Sequence, residues 1–187
     1  MTTLAEQFID EIGYADTDTS IRSSGRRFEM RMDFIHTFGF VFLTTEMVER
    51  MKEFGDMLEV GAGSGYVASE LQDAGVNIIP TNPNQFDYSE NWQNEWTEIE
   101  RLDAVSAIEK YPDRTVLISW PCYRSDWSTD VLNAVENQTV IYIGENRGGC
   151  TATDSFFDIM DDEFDVEVVG IPSLEGVYDN MYILNRK

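Results

Sequence analysis

Nine residues, Leu58 to Tyr66, carry the densest chemical signal in the chain: LEVGAGSGY sets Gly61, Gly63 and Gly65 at alternate positions just after an acidic residue, Glu59. Glycine has no Cβ, so such a segment turns tightly and lets backbone amides come close to a ligand. DMLEV before it is β-rich and YVASEL after it has helical spacing. The segment therefore reads as strand, glycine turn and helix, with unpaired N–H groups at the helix start. The GxGxG spacing puts Tyr66 where a dinucleotide fingerprint needs its last glycine, which disfavours a nicotinamide cofactor. Glu59, two residues before Gly61, would repel a pyrophosphate and attract a cation. A glycine turn that only reverses the chain is the plainer alternative.

Further candidates fall at the ends of later β-rich runs. VNIIPTNP leaves Asn82 after a strand, where its amide oxygen can accept a hydrogen bond or the residue only starts a turn with Pro83. Asp103 and Ala104 open a helical stretch, where an Asp also serves as an N-cap. TVLISW runs into Trp120, Pro121, Cys122 and Tyr123, and TVIYIGE ends in Glu145. Both ends fall at the carboxyl edge of the sheet, where open α/β folds bind ligands. Tyr123 and Glu145 are the candidates for positioning an acceptor or removing its proton. Their alternatives are a packing tyrosine, as for Trp120, and a solvated carboxylate. A single histidine, His36, cannot build a multi-histidine metal centre, and its context FIHTFGF reads as packing. Cys122 and Cys150 lack the paired CxxC spacing of a zinc site, and they read as small apolar residues at a pocket rim.

Glu59-Val60-Gly61-Ala62-Gly63-Ser64-Gly65 resembles the first motif of class I S-adenosylmethionine-dependent methyltransferases. The resemblance implies that Glu59, Gly61, Ala62, Gly63, Gly65 and Tyr66 lie around the methionine part of S-adenosylmethionine. Asn82 stands where that family usually presents an acidic residue to the ribose hydroxyls, and Asp103, beside Ala104, would accept from the adenine amino group. SWPCY is similar to the (Asp/Asn/Ser)-Pro-Pro-(Tyr/Phe/Trp) motif of amino-group methyltransferases. It departs from that motif with Trp120 at the acceptor position and Cys122 at the second proline, and Trp120 and Pro121 are placed with the cofactor pocket. VGAGSGY, LISWPCY, YIGENRGGCT and IPSLEGVYDNMYILNRK together resemble a group of methyltransferase-like proteins of microbes and their viruses. What this implies is methyl transfer from S-adenosylmethionine to an unidentified acceptor, small molecule or protein. The alternative is a non-catalytic S-adenosylmethionine-binding or structural module, viral in one version.

Elements must hold these residues in place. Apolar residues recur at helical spacing over Leu4–Ile12 and Thr44–Phe54, with the arginine-rich RRFEMRMDF between, so residues 1–55 read as a helical entry segment. DMLEV, VNIIP, TVLISW and TVIYIGE then alternate with helical stretches, the pattern of crossover connections and a parallel sheet. FDVEVVGIP and DNMYILNRK end the chain as two strands joined by a turn. The expected fold class is α/β, Rossmann-like. The resemblance implies a mostly parallel seven-stranded sheet with helices on both faces and an antiparallel C-terminal strand. Residues 1–187 are expected to form a single domain, with residues 56–187 as the cofactor-binding sheet.

Composition narrows the partners. Thirteen Lys and Arg face 35 Asp and Glu, for a net charge of -22 and a pI near 4.1. That balance disfavours free nucleic acid, whose affinity for proteins comes largely from basic surfaces. It fits a halophilic host, or a virus of one, because strong salt screens carboxylate repulsion. No apolar run approaches the roughly 20 residues that span a bilayer, and the amino terminus is acidic where a secretory signal is basic. The expectation is a cytoplasmic protein without a membrane partner, in the host cytoplasm if viral. Oligomeric state is not legible.

Overall fold

The computed structural model describes residues 2–13, 21–83 and 95–187. Residues 14–20, part of the expected entry segment, lie outside the described residues. Helix α1 (Leu4–Glu11) starts at a capping box in which Thr3 and Glu6 satisfy each other's backbone amides, and it buries Ala5 and Ile9. Helix α2 (Ile21–Phe38) follows, then α3 (Thr45–Met51), capped by the Thr44 hydroxyl, and a 3-10 turn at Lys52–Phe54.

The sheet comprises β1 (Met57–Val60), β2 (Ile78–Thr81), β3 (Thr115–Ser119), β4 (Val140–Glu145), β5 (Phe164–Gly170) and β6 (Asp179–Arg186), in the order β2-β1-β3-β4-β6-β5. The helices between them are α4 (Tyr66–Asp73), α5 (Ala104–Lys110), α6 (Trp127–Ala134) and α7 (Asp154–Glu163). β2, β1, β3 and β4 pair in parallel, and β6 pairs antiparallel with both β4 and β5. Alternate side chains build two cores. Met57, Leu117, Ile141 and Ile143 pack with the α1–α4 side, while Leu58, Val60, Val116, Ile118 and Tyr142 pack with α5–α7. Burial on both faces is why these strands are apolar runs rather than alternating ones.

The described residues form six strands, not the seven that the resemblance implied. Where a further strand would flank β2, pairing shrinks to one parallel bridge between Thr81 and Glu100. Asn82 N donates to Glu100 O at 3.1 Å and Glu100 N to Pro80 O at 2.9 Å. Around Glu100 the apolar Trp96, Ile99 and Leu102 are interspersed with Glu95, Glu98, Arg101 and Asp103, and the Trp96 ring is taken up by Phe38, so little holds a longer strand against the core. Among the described residues no helix is long and apolar enough to cross a membrane.

Candidate functional site

Strand order reverses at β1, with β2 on one side and β3 on the other, and the carboxyl ends of β1 and β3 open a crevice there. Gly61, Gly63 and Gly65 all adopt left-handed backbone, with φ of 71°, 56° and 75°, a region that costs other residues roughly 1–2 kcal/mol. The turn is closed by Gly65 N donating to Ala62 O at 2.8 Å, and tied to β2 by Ala62 N donating to Thr81 O at 3.0 Å. Gly65 then caps α4. A Cβ on Gly61 would lie 2.7 Å from Cη2 of Trp127, so the indole of α6 packs directly on the turn.

Helix α2 covers the crevice and is latched to the glycine turn at its carboxyl end. The Ser64 hydroxyl donates to Phe38 O at 2.9 Å, and Trp96 Nε1 donates to Thr37 O at 3.1 Å. The Trp96 ring stacks on Phe38 at 5.3 Å. Between α2 and the sheet edge lies a cavity of about 550 Å³, within the size range of small-molecule sites. Its β1 end is lined by Gly61 to Ser64, Asn82 and Trp127, and its β4 end by Tyr123, Glu145, Cys150 and Val177.

Glu59 sits behind the turn, fully buried. One carboxyl oxygen accepts from the Ser119 hydroxyl at 3.2 Å, and Oε2 has no hydrogen-bond partner among the described residues. Burial pushes its pKa up to about 8, with Ser119 and the nearby Ala68 amide offsetting only part of the rise. At the other end Trp120 holds φ 49°, an outlying conformation for a bulky residue. Its backbone N donates to Ile143 O at 2.9 Å, its indole N–H reaches Asp179, and its ring stacks on Phe40 at 4.6 Å and 10°. Asp179 faces Glu145 across the β4–β6 ladder. Burial pushes its pKa up to about 7; Trp120 lowers it, and the neighbouring Glu145 charge raises it. Glu145 is braced, with Oε2 accepting from Cys150 N at 2.6 Å and Oε1 from Tyr178 N at 3.1 Å.

The fold brings together most of the sequence candidates. Gly61, Ala62, Gly63, Tyr66, Asn82, Trp120, Tyr123 and Glu145 line one cavity, with Glu59 directly behind it and Gly65 at the start of α4. Pro121 is buried, and its carbonyl accepts from Ala152 N. Asp103 and Ala104 do not line the cavity. The Asp103 carboxylate caps α5, accepting from Ser106 N at 3.0 Å and Ser106 Oγ at 2.6 Å. His36, read as a packing residue, is instead exposed on the cavity wall. Sequence reading missed Arg31, Met32, Ile35 and Phe40 on the α2 side, and Ser119, Trp127 and Asp179 on the sheet side. Arg31, Ile35 and Phe38 do recur at i, i+4 and i+7, the one available signal.

The chain has the fold of class I S-adenosylmethionine-dependent methyltransferases. Magnesium protoporphyrin IX methyltransferase of Synechocystis, solved with bound S-adenosylmethionine, superposes over 98% of this chain and 92% of its own, with 11% identity and a TM-score of 0.51. An S-adenosylmethionine-dependent methyltransferase of Archaeoglobus fulgidus covers 75% of this chain and 92% of its own, at 11% identity and a TM-score of 0.50. Human N-acetylserotonin methyltransferase in complex with S-adenosylmethionine covers 88% of this chain and 57% of its own, at 13% identity and a TM-score of 0.50. No protein-family model matches the sequence, and neither does any curated protein.

Proposed function

We propose that this chain is an S-adenosylmethionine-dependent methyltransferase acting on a small acceptor, with residues 1–187 working as one domain. The observation that carries this reading is Glu59: a buried carboxyl behind a left-handed glycine turn, with one oxygen lacking a hydrogen-bond partner among the described residues. A buried carboxylate without a counter-ion is costly, and a cationic ligand at the turn removes that cost. The residues present fit the cofactor. Ala62, Gly63 and Ser64 bring backbone close to the cavity, Asn82 offers an amide just after β2, and the Trp127 ring lines the cavity beside Gly61.

When bound, S-adenosylmethionine would supply an electrophilic methyl group and its own thioether leaving group, and the acceptor's proton would need a base. The chain's part is to orient the partners and exclude water, which supplies much of the rate in such reactions. Helix α2 and Phe40 close the cavity over the sheet edge. Glu145 and Tyr123 line the acceptor end, and Glu145 is positioned there by two backbone amides. Asp179, held partly protonated near neutral pH, is a second proton site behind Trp120.

The same bracing of Glu145 favours one other reading, a non-catalytic binding module in which this carboxylate only orders the loop around Cys150. The acidic composition further supports a cytoplasmic protein adapted to molar salt, in a halophile or its virus. Calorimetry with S-adenosylmethionine, followed by transfer of a labelled methyl group to a library of small acceptors, tests the proposal. Binding with transfer is the expected result. Binding without transfer to any acceptor identifies the module, and no binding removes both readings.

A further inference from the structure

The cavity has two unlike ends, and the chemistry of the β4 end is not absorbed by cofactor binding. Arg31 lies on α2 seven residues before Phe38, about 10 Å along the helix from the latch on the glycine turn. It borders the segment that leads into β6: Nη1 donates to Glu175 O at 2.7 Å, and a Cβ on Gly176 would lie 2.8 Å from that nitrogen. Gly176, with φ 77°, therefore makes room for the guanidinium. Among the described residues Arg31 forms no ion pair, and its buried Nε has no hydrogen-bond partner. In a chain with 35 Asp and Glu, a cation kept from every described carboxylate at a cavity wall is placed for an anion from outside.

The other charges at this end are already answered. Glu145 is met by the Cys150 and Tyr178 amides, and Asp179 by the Trp120 indole. Burial also holds Asp179 towards its neutral form, which reduces the repulsion an anion would meet. The walls here are flat and aromatic. Phe40 and Trp120 stack nearly parallel along the cavity side, and Tyr123 lines its mouth. Exposed Tyr123 lines this end, exposed Phe28 lies under the Arg31 guanidinium, and exposed Tyr178 follows the lining residue Val177 in sequence. An exposed ring on the wall of an aromatic-lined cavity suits a flat apolar ligand.

Reading the β1 end as the cofactor half, we infer that the acceptor is an aromatic compound bearing a carboxylate or similar oxyanion, its anion paired with Arg31 and its ring laid along Phe40 and Trp120. Arg31 is a specificity residue for that acceptor.

The test is calorimetry with three probes and one control ligand. The probes are 2-naphthoate, its neutral isostere 2-naphthamide, and cyclohexanecarboxylate, which keeps the charge and loses the ring. The control is S-adenosylhomocysteine, titrated separately. Wild type is expected to bind 2-naphthoate about tenfold more tightly than either other probe. Arg31→Gln is expected to lose the preference for naphthoate over naphthamide while its S-adenosylhomocysteine affinity stays within about twofold, and Arg31→Lys to keep part of the preference. Circular dichroism confirms that each variant is folded. Equal binding of the probes, no binding of naphthoate, or a preference that persists in Arg31→Gln overturns the inference. So does a parallel loss of S-adenosylhomocysteine in Arg31→Gln, which assigns Arg31 to the cofactor's carboxylate. Failure of S-adenosylhomocysteine to bind wild type counts separately, against the methyltransferase reading itself.

Discussion

Trp120 donates its indole N–H to both carboxyl oxygens of Asp179, at 3.0 and 2.9 Å, and so fixes a residue whose own backbone is strained. A left-handed non-glycine residue costs roughly 1–3 kcal/mol, and a hydrogen bond to a charged group contributes roughly 1.5–3 kcal/mol. The two are of the same size, so the hydrogen bond offsets the strain at Trp120, while burial of the Asp179 charge remains a cost.

That balance depends on pH. The Asp179 pKa is pushed up to about 7 from 3.8. Between those values the folded protein keeps a proton that the unfolded chain has lost, so stability falls as pH rises through that window. Asp179→Asn keeps an acceptor for Trp120 and removes the titration. Its melting temperature should fall less than that of wild type between about pH 4 and about pH 7. Parallel curves for the two proteins would show that Asp179 ionises freely.

Glu59 opposes stability and serves binding. Its pKa is pushed up to about 8 from 4.5, so the same sign applies and the ligand-free protein loses stability as pH rises from about 4.5 to about 8. Glu59→Gln should raise the melting point of the ligand-free protein at alkaline pH yet weaken S-adenosylmethionine about tenfold, equivalent to roughly 1.4 kcal/mol. Wild-type affinity should also rise from about pH 7 to about pH 9, as the carboxylate forms, and stay flat in the variant. Unchanged affinity in Glu59→Gln would remove the electrostatic role.

How much of this was legible in the sequence depends on whether the deciding contact was local. The glycine turn was readable because Gly61, Gly63 and Gly65 each take a backbone conformation that their residue type announces. Asp103 had two local readings, adenine contact and N-cap, and Ser106, three residues on, decides for the cap. Asp179 was readable as a strand residue, but its place beside Glu145 follows from the β4–β6 register, which pairs positions 34 residues apart. Helix α2 was blurred by arginines between its apolar positions, so its role as the cavity roof did not show. The strand beyond β2 was implied by family likeness alone, and the charged residues around Glu100 reduce it to a single bridge.

Salt should stabilise the fold. A net charge of -22 on 187 residues makes the folded chain repel itself, and ions at molar strength screen exposed charges over about 3 Å. Pairs such as Arg147 with Asp158 at 2.8 Å and Asp161 at 3.0 Å are exposed and contribute little against that repulsion. The melting temperature should rise from low to molar sodium chloride. A flat or falling midpoint would remove the case for halophilic adaptation.

Cys122 and Cys150 line the same cavity as the glycine turn, and neither is in a disulfide. Alkylation of both thiols should slow when S-adenosylmethionine is present, and Cys122→Ala and Cys150→Ala should keep cofactor affinity, as expected of thiols that only pack. Identical rates with and without cofactor at both thiols would contradict their shared site, and loss of methyl transfer in one alanine variant at normal affinity would assign that thiol a role in the reaction.

The most direct measurement is calorimetric titration of S-adenosylmethionine into wild type and Gly63→Arg, with circular dichroism on both. Gly63 lines the cavity at φ 56°, so an arginine there adds roughly 1–2 kcal/mol of backbone strain and fills the space where a ligand meets the turn. The expected result is one site in wild type and no detectable binding in a folded Gly63→Arg protein. Equal affinity in the two folded proteins, or no binding to wild type in either low or molar salt, would contradict a cofactor site at the glycine turn.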